Sequence, residues 1–416
     1  MNGTGRKVFF WLHLVLGLAA GGVIAITAFT GATMAFEKQI VGWQERDLRR
    51  VSPPPKNAPR VPLDELVEIV REENPGMRPS EIVLSRDPAA AVVIQLGRTN
   101  VLYANPYTGE MHPSGAQKTR AIFQLMLRWH RWLGAPQSSP VEPAVGAAAP
   151  AARETQGGWR RVGGTIVGVS ACVFLTLCLS GLVLWWPRNL GALRQVVWFR
   201  RGVSGRTRDW NWHNTIGFWS LPVLVVITFT GIVMSFRAVG DWIYKRPENE
   251  NAGLIIAAPE AGARPLGPEA LLAAAQADLP QWQTITLRLG GRRQRGPRNA
   301  GPPAASEASG EQRNNGGGEG RNPPPVGVSV VVENAPSAAP TQLQLDPYTG
   351  SVLRRESVAD YGFRRAFRTL NKVIHTGEAG GIFGQTLALA ASLGALVLVW
   401  TGFALSWRRF LGRDRG

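Results

Sequence analysis

Four long apolar stretches, separated by long polar ones, decide what this chain can become. They cover residues 8–36, 162–186, 216–236 and 382–407. Each is long enough to cross a hydrocarbon core of about 30 Å at about 1.5 Å per residue. The first follows Arg6 and Lys7, as the core of a signal peptide would. Its apolar run far exceeds the roughly 7–15 residues of such a core, so a retained helix is expected. Trp185, Trp186, Trp212 and Trp407 stand at span ends, where amphipathic rings anchor among lipid headgroups. The expected fold class is therefore a polytopic α-helical membrane protein with sizeable water-exposed parts.

Charge orients the spans. The formal net charge is +17, which could suggest nucleic acid, but no recognition motif accompanies it. Much of the surplus lies beside the spans instead. Arg188, Arg194, Arg200, Arg201, Arg206 and Arg208 come in a run with no acidic residue until Asp209. Together with the tail Arg408, Arg409, Arg413 and Arg415, they mark the cytoplasmic side. Four spans then put both termini inside, and the expected partner of the apolar surface is a lipid bilayer. The order is a first span (1–36), an outer segment (37–161), a second span (162–186) and a basic cytoplasmic loop (187–209). A third span (210–236), an outer segment (237–381), a fourth span (382–407) and a basic tail (408–416) follow. The two cysteines, Cys172 and Cys178, lie within one span, too far apart along a helix to bridge. The chain has no disulfide framework and no Cys-based zinc motif.

The chain also repeats itself. A shift of 200 residues brings His13 onto His213, Gly17 onto Gly217, and Phe29-Thr30-Gly31 onto Phe229-Thr230-Gly231; Met34 and Phe36 meet Met234 and Phe236. A second register aligns Ser180-Gly181 with Thr401-Gly402, Leu184 with Leu405, Trp186 with Trp407 and Arg188 with Arg409. This is a duplicated two-helix unit. Gly31, Gly181, Gly231 and Gly402 read as close-packing points between helices, or equally as ordinary tolerated membrane glycines.

The outer segments repeat as well. Pro62-Leu63 opens an apolar-periodic helix, strand-like runs follow at 81–84, 91–96 and 100–104, and Asn105-Pro106-Tyr107-Thr108-Gly109 makes a turn. Pro265-Leu266 opens the second copy, with runs at 284–289, 328–332 and 341–345 before Asp346-Pro347-Tyr348-Thr349-Gly350. Each copy reads as a small α+β domain, one helix on an antiparallel sheet. Residues 290–327 (Gly, Pro, Asn, Arg) and 134–158 (Ala, Pro, Ser) cannot bury a core and read as disordered insertions.

The twice-repeated D/N-P-Y-T-G turn, T-G-x-x-M-x-F in spans one and three, and S/T-G-x-x-L-x-W in spans two and four resemble the PepSY-associated transmembrane family. The resemblance covers most of the chain outside the two insertions. It implies four transmembrane helices carrying PepSY-like domains in the bacterial inner membrane, with a link to iron uptake. It also implies that the chain is akin to dihaem reductases that release iron from ferric siderophores at the periplasmic face.

Read from the residues alone, four of the five histidines fall into two symmetric pairs. His13 and His213 stand near the cytoplasmic starts of spans one and three, and His130 and His375 precede spans two and four on the outer side. His112 has no counterpart and reads as a surface residue. A pair of opposed neutral imidazoles is what bis-histidine haem iron requires. With no C-x-x-C-H attachment motif, two non-covalent b-type haems are expected. A bare zinc ion is the poorer use, since it wants four ligands and only Glu378 stands near His375. Histidines that merely cap helix ends are the remaining alternative. Arg128 and Arg131 beside His130, and Lys372 before His375, are candidate partners for haem propionates, or headgroup-facing charges.

The expected function is electron relay: electrons enter from a quinol or a cytoplasmic reductase, cross between haems, and leave to a ferric chelate outside. The alternative is a non-enzymatic PepSY membrane regulator or iron-transport accessory protein without haem.

Overall fold

The computed structural model describes residues 3–52, 58–97, 99–136, 150–186, 196–244, 264–289, 328–333, 341–357 and 363–411. In chain order the main helices are α1 (Gly3–Met34), α2 (Glu37–Gln44), α3 (Leu63–Glu73), α4 (Gln117–Trp132) and α5 (Pro150–Trp185). The later ones are α6 (Gly205–Ser235), α7 (Arg237–Tyr244), α8 (Pro268–Asp278), α9 (Phe363–His375) and α10 (Gly381–Phe410). The strands are β1 (Glu81–Ser85), β2 (Val92–Leu96), β3 (Asn100–Ala104), β4 (Met111–Pro113), β5 (Thr284–Arg288), β6 (Val328–Glu333), β7 (Thr341–Leu345) and β8 (Val352–Ser357). The chain divides into a helical unit (Met1–Gln44, Lys118–Pro247, Tyr361–Gly416) and an α+β unit (Glu45–Gln117, Glu248–Asp360).

In the helical unit, α1, α5, α6 and α10 are long and apolar enough to span a membrane. Each of α1 and α6 packs against both α5 and α10, so α1 faces α6 across one diagonal. This is the two-fold plan that the 200-residue repeat implies. The buried apolar clusters between helices mix small and branched side chains: Cys178, Leu224, Ala391 and Ala395 in one, Ala20, Ile24 and Leu177 in another. Large apolar side chains such as Val15, Phe29, Val169, Val226 and Leu393 are exposed on the bundle surface, as expected where the solvent is lipid.

Helix ends depart from the hydropathy reading. α5 begins at Pro150, within the segment read as a disordered insertion, and α6 begins at Gly205, within the basic loop. Helix-favouring residues such as Ala151, Ala152, Arg153 and Gln156 extend α5 beyond its apolar part. Residues 137–149 and the 290–327 insertion lie outside the described residues.

The α+β unit is built by burial. Leu63, Leu66, Val67 and Val70 fall on one face of α3 at helical spacing. They pack with Leu271, Leu272 and Ala275 of α8 onto Ile82, Ile94, Ile285, Leu287, Leu343 and Leu345 of the sheet. Full burial of a side chain of this size contributes about 1.5–3 kcal/mol. The two repeats do not form separate sheets. One antiparallel sheet runs β4-β3-β2-β1-β5-β6-β7-β8, and β1 pairs with β5 at the seam, Val83 opposite Thr286 and Glu81 opposite Arg288. Strands β4 and β8, absent from the sequence reading, extend the two outer edges.

The helices of the two repeats also cap each other. Neither Pro62 nor Gly267 supplies a side-chain cap. Instead Glu269 accepts the Leu63 N–H at 2.7 Å and Asp64 accepts the Glu269 N–H at 3.3 Å, satisfying backbone donors that a helix start leaves open. In the two P-Y-T-G turns, the Asn105 and Asp346 side chains accept the N–H two residues on, at 3.0 and 2.8 Å. Gly109 and Gly350 close these turns at φ 74° and 71°, where a Cβ would be strained. At the start of the unit the buried Glu45 carboxylate accepts from Tyr103 Oη at 2.6 Å, from the Ser114 hydroxyl, and from Arg49 at 3.3 Å. The sequence reading had no signal for that network.

Candidate functional site

The four histidines meet in the two predicted pairs. The His13 and His213 rings have centroids 6.3 Å apart with planes at 82°, and those of His130 and His375 are 6.1 Å apart at 59°. The pairs sit at opposite ends of the bundle. His13 is on α1, and the α1 residue that holds His130 is Thr30, seventeen positions on. At helical rise that is about 25 Å. α6 repeats the arrangement with His213 and Thr230.

Every ring is held through Nδ1 by a hydroxyl. His13 contacts Ser180 Oγ at 3.0 Å, His213 contacts Thr401 Oγ1 at 2.9 Å, and His130 and His375 contact Thr30 and Thr230 Oγ1 at 3.1 Å. His130 and His375 also reach backbone carbonyls, Thr27 and Ile227, each at 2.9 Å. Among the described residues, Nε2 of these rings has no hydrogen-bond partner.

A glycine follows each hydroxyl residue and lies beneath the ring. A Cβ on Gly31 would stand 3.3 Å from His130 Cε1, on Gly231 3.2 Å from His375, on Gly181 3.3 Å from His13, and on Gly402 3.7 Å from His213. The Ser/Thr-Gly pair is thus a seat for an imidazole from another helix. At Gly31, Gly181 and Gly231 this is close approach between helices, made by a ring; at Gly402 the contact is an ordinary one that tolerates a methyl. The signal was in the sequence: Ser or Thr before glycine at all four repeat positions.

α4 and α9 carry His130 and His375 and lie outside the four spans. A side chain at Gly163 would collide with the Trp132 carbonyl, so glycine there lets the end of α4 lie against α5. Asn371 ties α9 to the Thr230 carbonyl at 3.2 Å. Burial, and secondarily the neighbouring His375, push the His130 imidazole down to about 4, and burial lowers His375 too. Both rings are therefore neutral near pH 7, the form that binds metal.

The remaining candidates are dispersed. Arg131 stacks on the Trp132 ring at 4.7 Å, with Arg160 on the same ring at 4.1 Å. Arg128, two positions before His130, lies roughly 160° around α4 from it. Lys372, three positions before His375, shares its helical face and is exposed. Glu378, the acidic neighbour of His375 in sequence, is ion-paired with Lys38 at 2.7 Å. Among the described residues no three His, Cys, Asp or Glu side chains converge as a metal site. His112 is exposed beside Glu110 at 3.3 Å.

The spacing of the paired rings suits one metal ion held between two imidazoles. Two imidazoles bound on opposite sides of one metal at about 2 Å have ring centroids roughly 6 Å apart, close to both observed separations. Each pair offers two nitrogen ligands and, among the described residues, no third, the number haem iron lacks.

Comparison with known proteins agrees with the repeat. No curated protein matches the chain. The family model of the PepSY-associated TM region matches residues 10–409. Spanning nearly the whole duplicated architecture, that match shows that the chain belongs to the PepSY-associated transmembrane family.

Proposed function

We propose that this protein is an inner-membrane electron carrier with two non-covalent b-type haems, one on His13 and His213 and one on His130 and His375. It would pass electrons to a ferric chelate, such as a ferric siderophore, at the periplasmic face. The observation that carries the reading is the pairing: two imidazole pairs at opposite ends of one bundle, each ring tethered by Nδ1. Bound there, haem would supply reversible one-electron transfer. The chain's own residues supply neutral ligands, fix their spacing and shield them from water. Each ferric ion reduced takes one electron, so the donor, a quinol or a cytoplasmic reductase, must renew one electron per turnover. The positive-inside pattern supports the outward direction, with the termini and the 187–209 loop in the cytoplasm.

The test is vectorial reduction. Spheroplasts given a ferric chelate that cannot enter should form ferrous iron outside only when the protein is present and respiring membranes supply electrons. Reduction confined to the cytoplasmic side would contradict the direction. A folded, colourless protein would favour the haem-free regulator.

A further inference from the structure

The hydroxyls under the four rings are themselves constrained. Each has one proton and it is committed to a carbonyl of its own helix: Thr30 to Ile26 at 2.7 Å, Thr230 to Val226 at 2.8 Å, Thr401 to Val397 at 2.7 Å, and Ser180 to Leu177 at 3.3 Å. A hydroxyl whose proton is so engaged can only accept from the ring. Nδ1 must then carry the imidazole proton and Nε2 the lone pair. Back-bonding of a helical Ser or Thr is common and means little alone. Here it coincides, four times, with a ring nitrogen on the oxygen and a glycine under the ring. For His130 and His375 the Thr27 and Ile227 carbonyls, which can only accept, require the same tautomer independently.

The four seats are not equal. His130 and His375 each have a hydroxyl and a carbonyl. His213 has Thr401, at 2.9 Å. Among the described residues His13 has Ser180 alone, whose own bond to its helix is the longest of the four. Serine also lacks the methyl group that restricts threonine at χ1.

We infer that Thr30, Ser180, Thr230 and Thr401 are positioning residues that hold the ligand imidazoles as Nδ1–H tautomers with Nε2 presented to iron. Among the described residues, Ser180 is the hydrogen-bond partner that sets the tautomer of the His13 ring. The inference rests on the dihaem reading. A donated Nδ1–H makes the imidazole a more basic ligand and favours ferric iron, so losing the acceptor moves that haem's potential upward.

The experiment compares full-length wild type, Ser180→Ala, Ser180→Thr and Thr30→Ala by haem stoichiometry, redox titration and low-temperature EPR, whose g-values report axial ring orientation. Ser180→Ala should weaken one haem site about 10–100-fold, the usual effect of removing a ligand's partner. It should raise one of the two midpoint potentials and change one EPR signal. The other haem in the same chain serves as the folding control. Thr30→Ala, which keeps the Thr27 carbonyl, should retain both haems with a smaller shift, and Ser180→Thr should restore wild-type behaviour. The inference is overturned if wild type binds two haems yet Ser180→Ala matches it, if Thr30→Ala has the larger effect, or if Ser180→Thr behaves as Ser180→Ala. A wild type with no haem instead removes the parent reading, and this inference with it.

Discussion

The two units of this chain are both duplicated, yet they are held together by different means. The α+β unit joins its copies through a shared core, in which Ile94 and Ile285 are wholly buried, and through one continuous sheet. The helical unit joins its copies around thin clusters in which alanine and cysteine sit beside leucine and isoleucine, and its most specific contacts are polar. In water, burial of apolar surface drives association, so duplication yields a fused core. In lipid that drive vanishes between helices, and close approach and hydrogen bonds remain. Glycine seats and hydroxyl tethers are what such an interior can offer, and they are also what a ligand imidazole needs.

The largest difference between the two units is expected at the histidines. A His13→Ala/His130→Ala double variant should carry no haem, while limited proteolysis of the α+β unit should give the wild-type pattern. Loss of that pattern would show that the cofactor sites also organise the sheet. Next, Ile94→Ala should destabilise the α+β unit by about 3 kcal/mol, through lost burial and a residual cavity. Thermal unfolding followed by near-UV circular dichroism would measure it, and an unchanged Soret band would sharpen the contrast. Removing the reciprocal cap with Glu269→Ala should cost about 1 kcal/mol, seen as a small drop in the same transition. The smallest effects belong to the seats. Gly231→Ala puts a methyl 3.2 Å from the His375 ring and should alter one EPR signal without haem loss; Gly402→Ala, at 3.7 Å, should leave the spectrum unchanged. Equal responses would show that the seats are not steric.

Hydropathy located all four spans but not their ends, because α6 continues as helix through Arg206, Arg208 and Asp209, where no apolar signal exists. The histidine pairing was legible because the repeat gives His13 and His213, and His130 and His375, equivalent places in a two-fold bundle. The role of Thr30, Ser180, Thr230 and Thr401 was not, since each hydroxyl serves a ring from a different helix. The β1–β5 seam was equally hidden: Ser85 and Thr284 carry no mark that they will pair. Nor does Glu269 reveal by its position that it caps a helix 206 residues away.

The central claim is that each end of the bundle holds one haem on its own histidine pair. The most direct measurement is haem per chain, by pyridine haemochrome, in purified wild type, His13→Ala, His213→Ala, His130→Ala and His375→Ala. The account predicts two haems in wild type and one in every variant, with His13→Ala and His213→Ala retaining one spectral species and His130→Ala and His375→Ala the other. Wild type without haem, or His13→Ala and His130→Ala losing the same species, would contradict it.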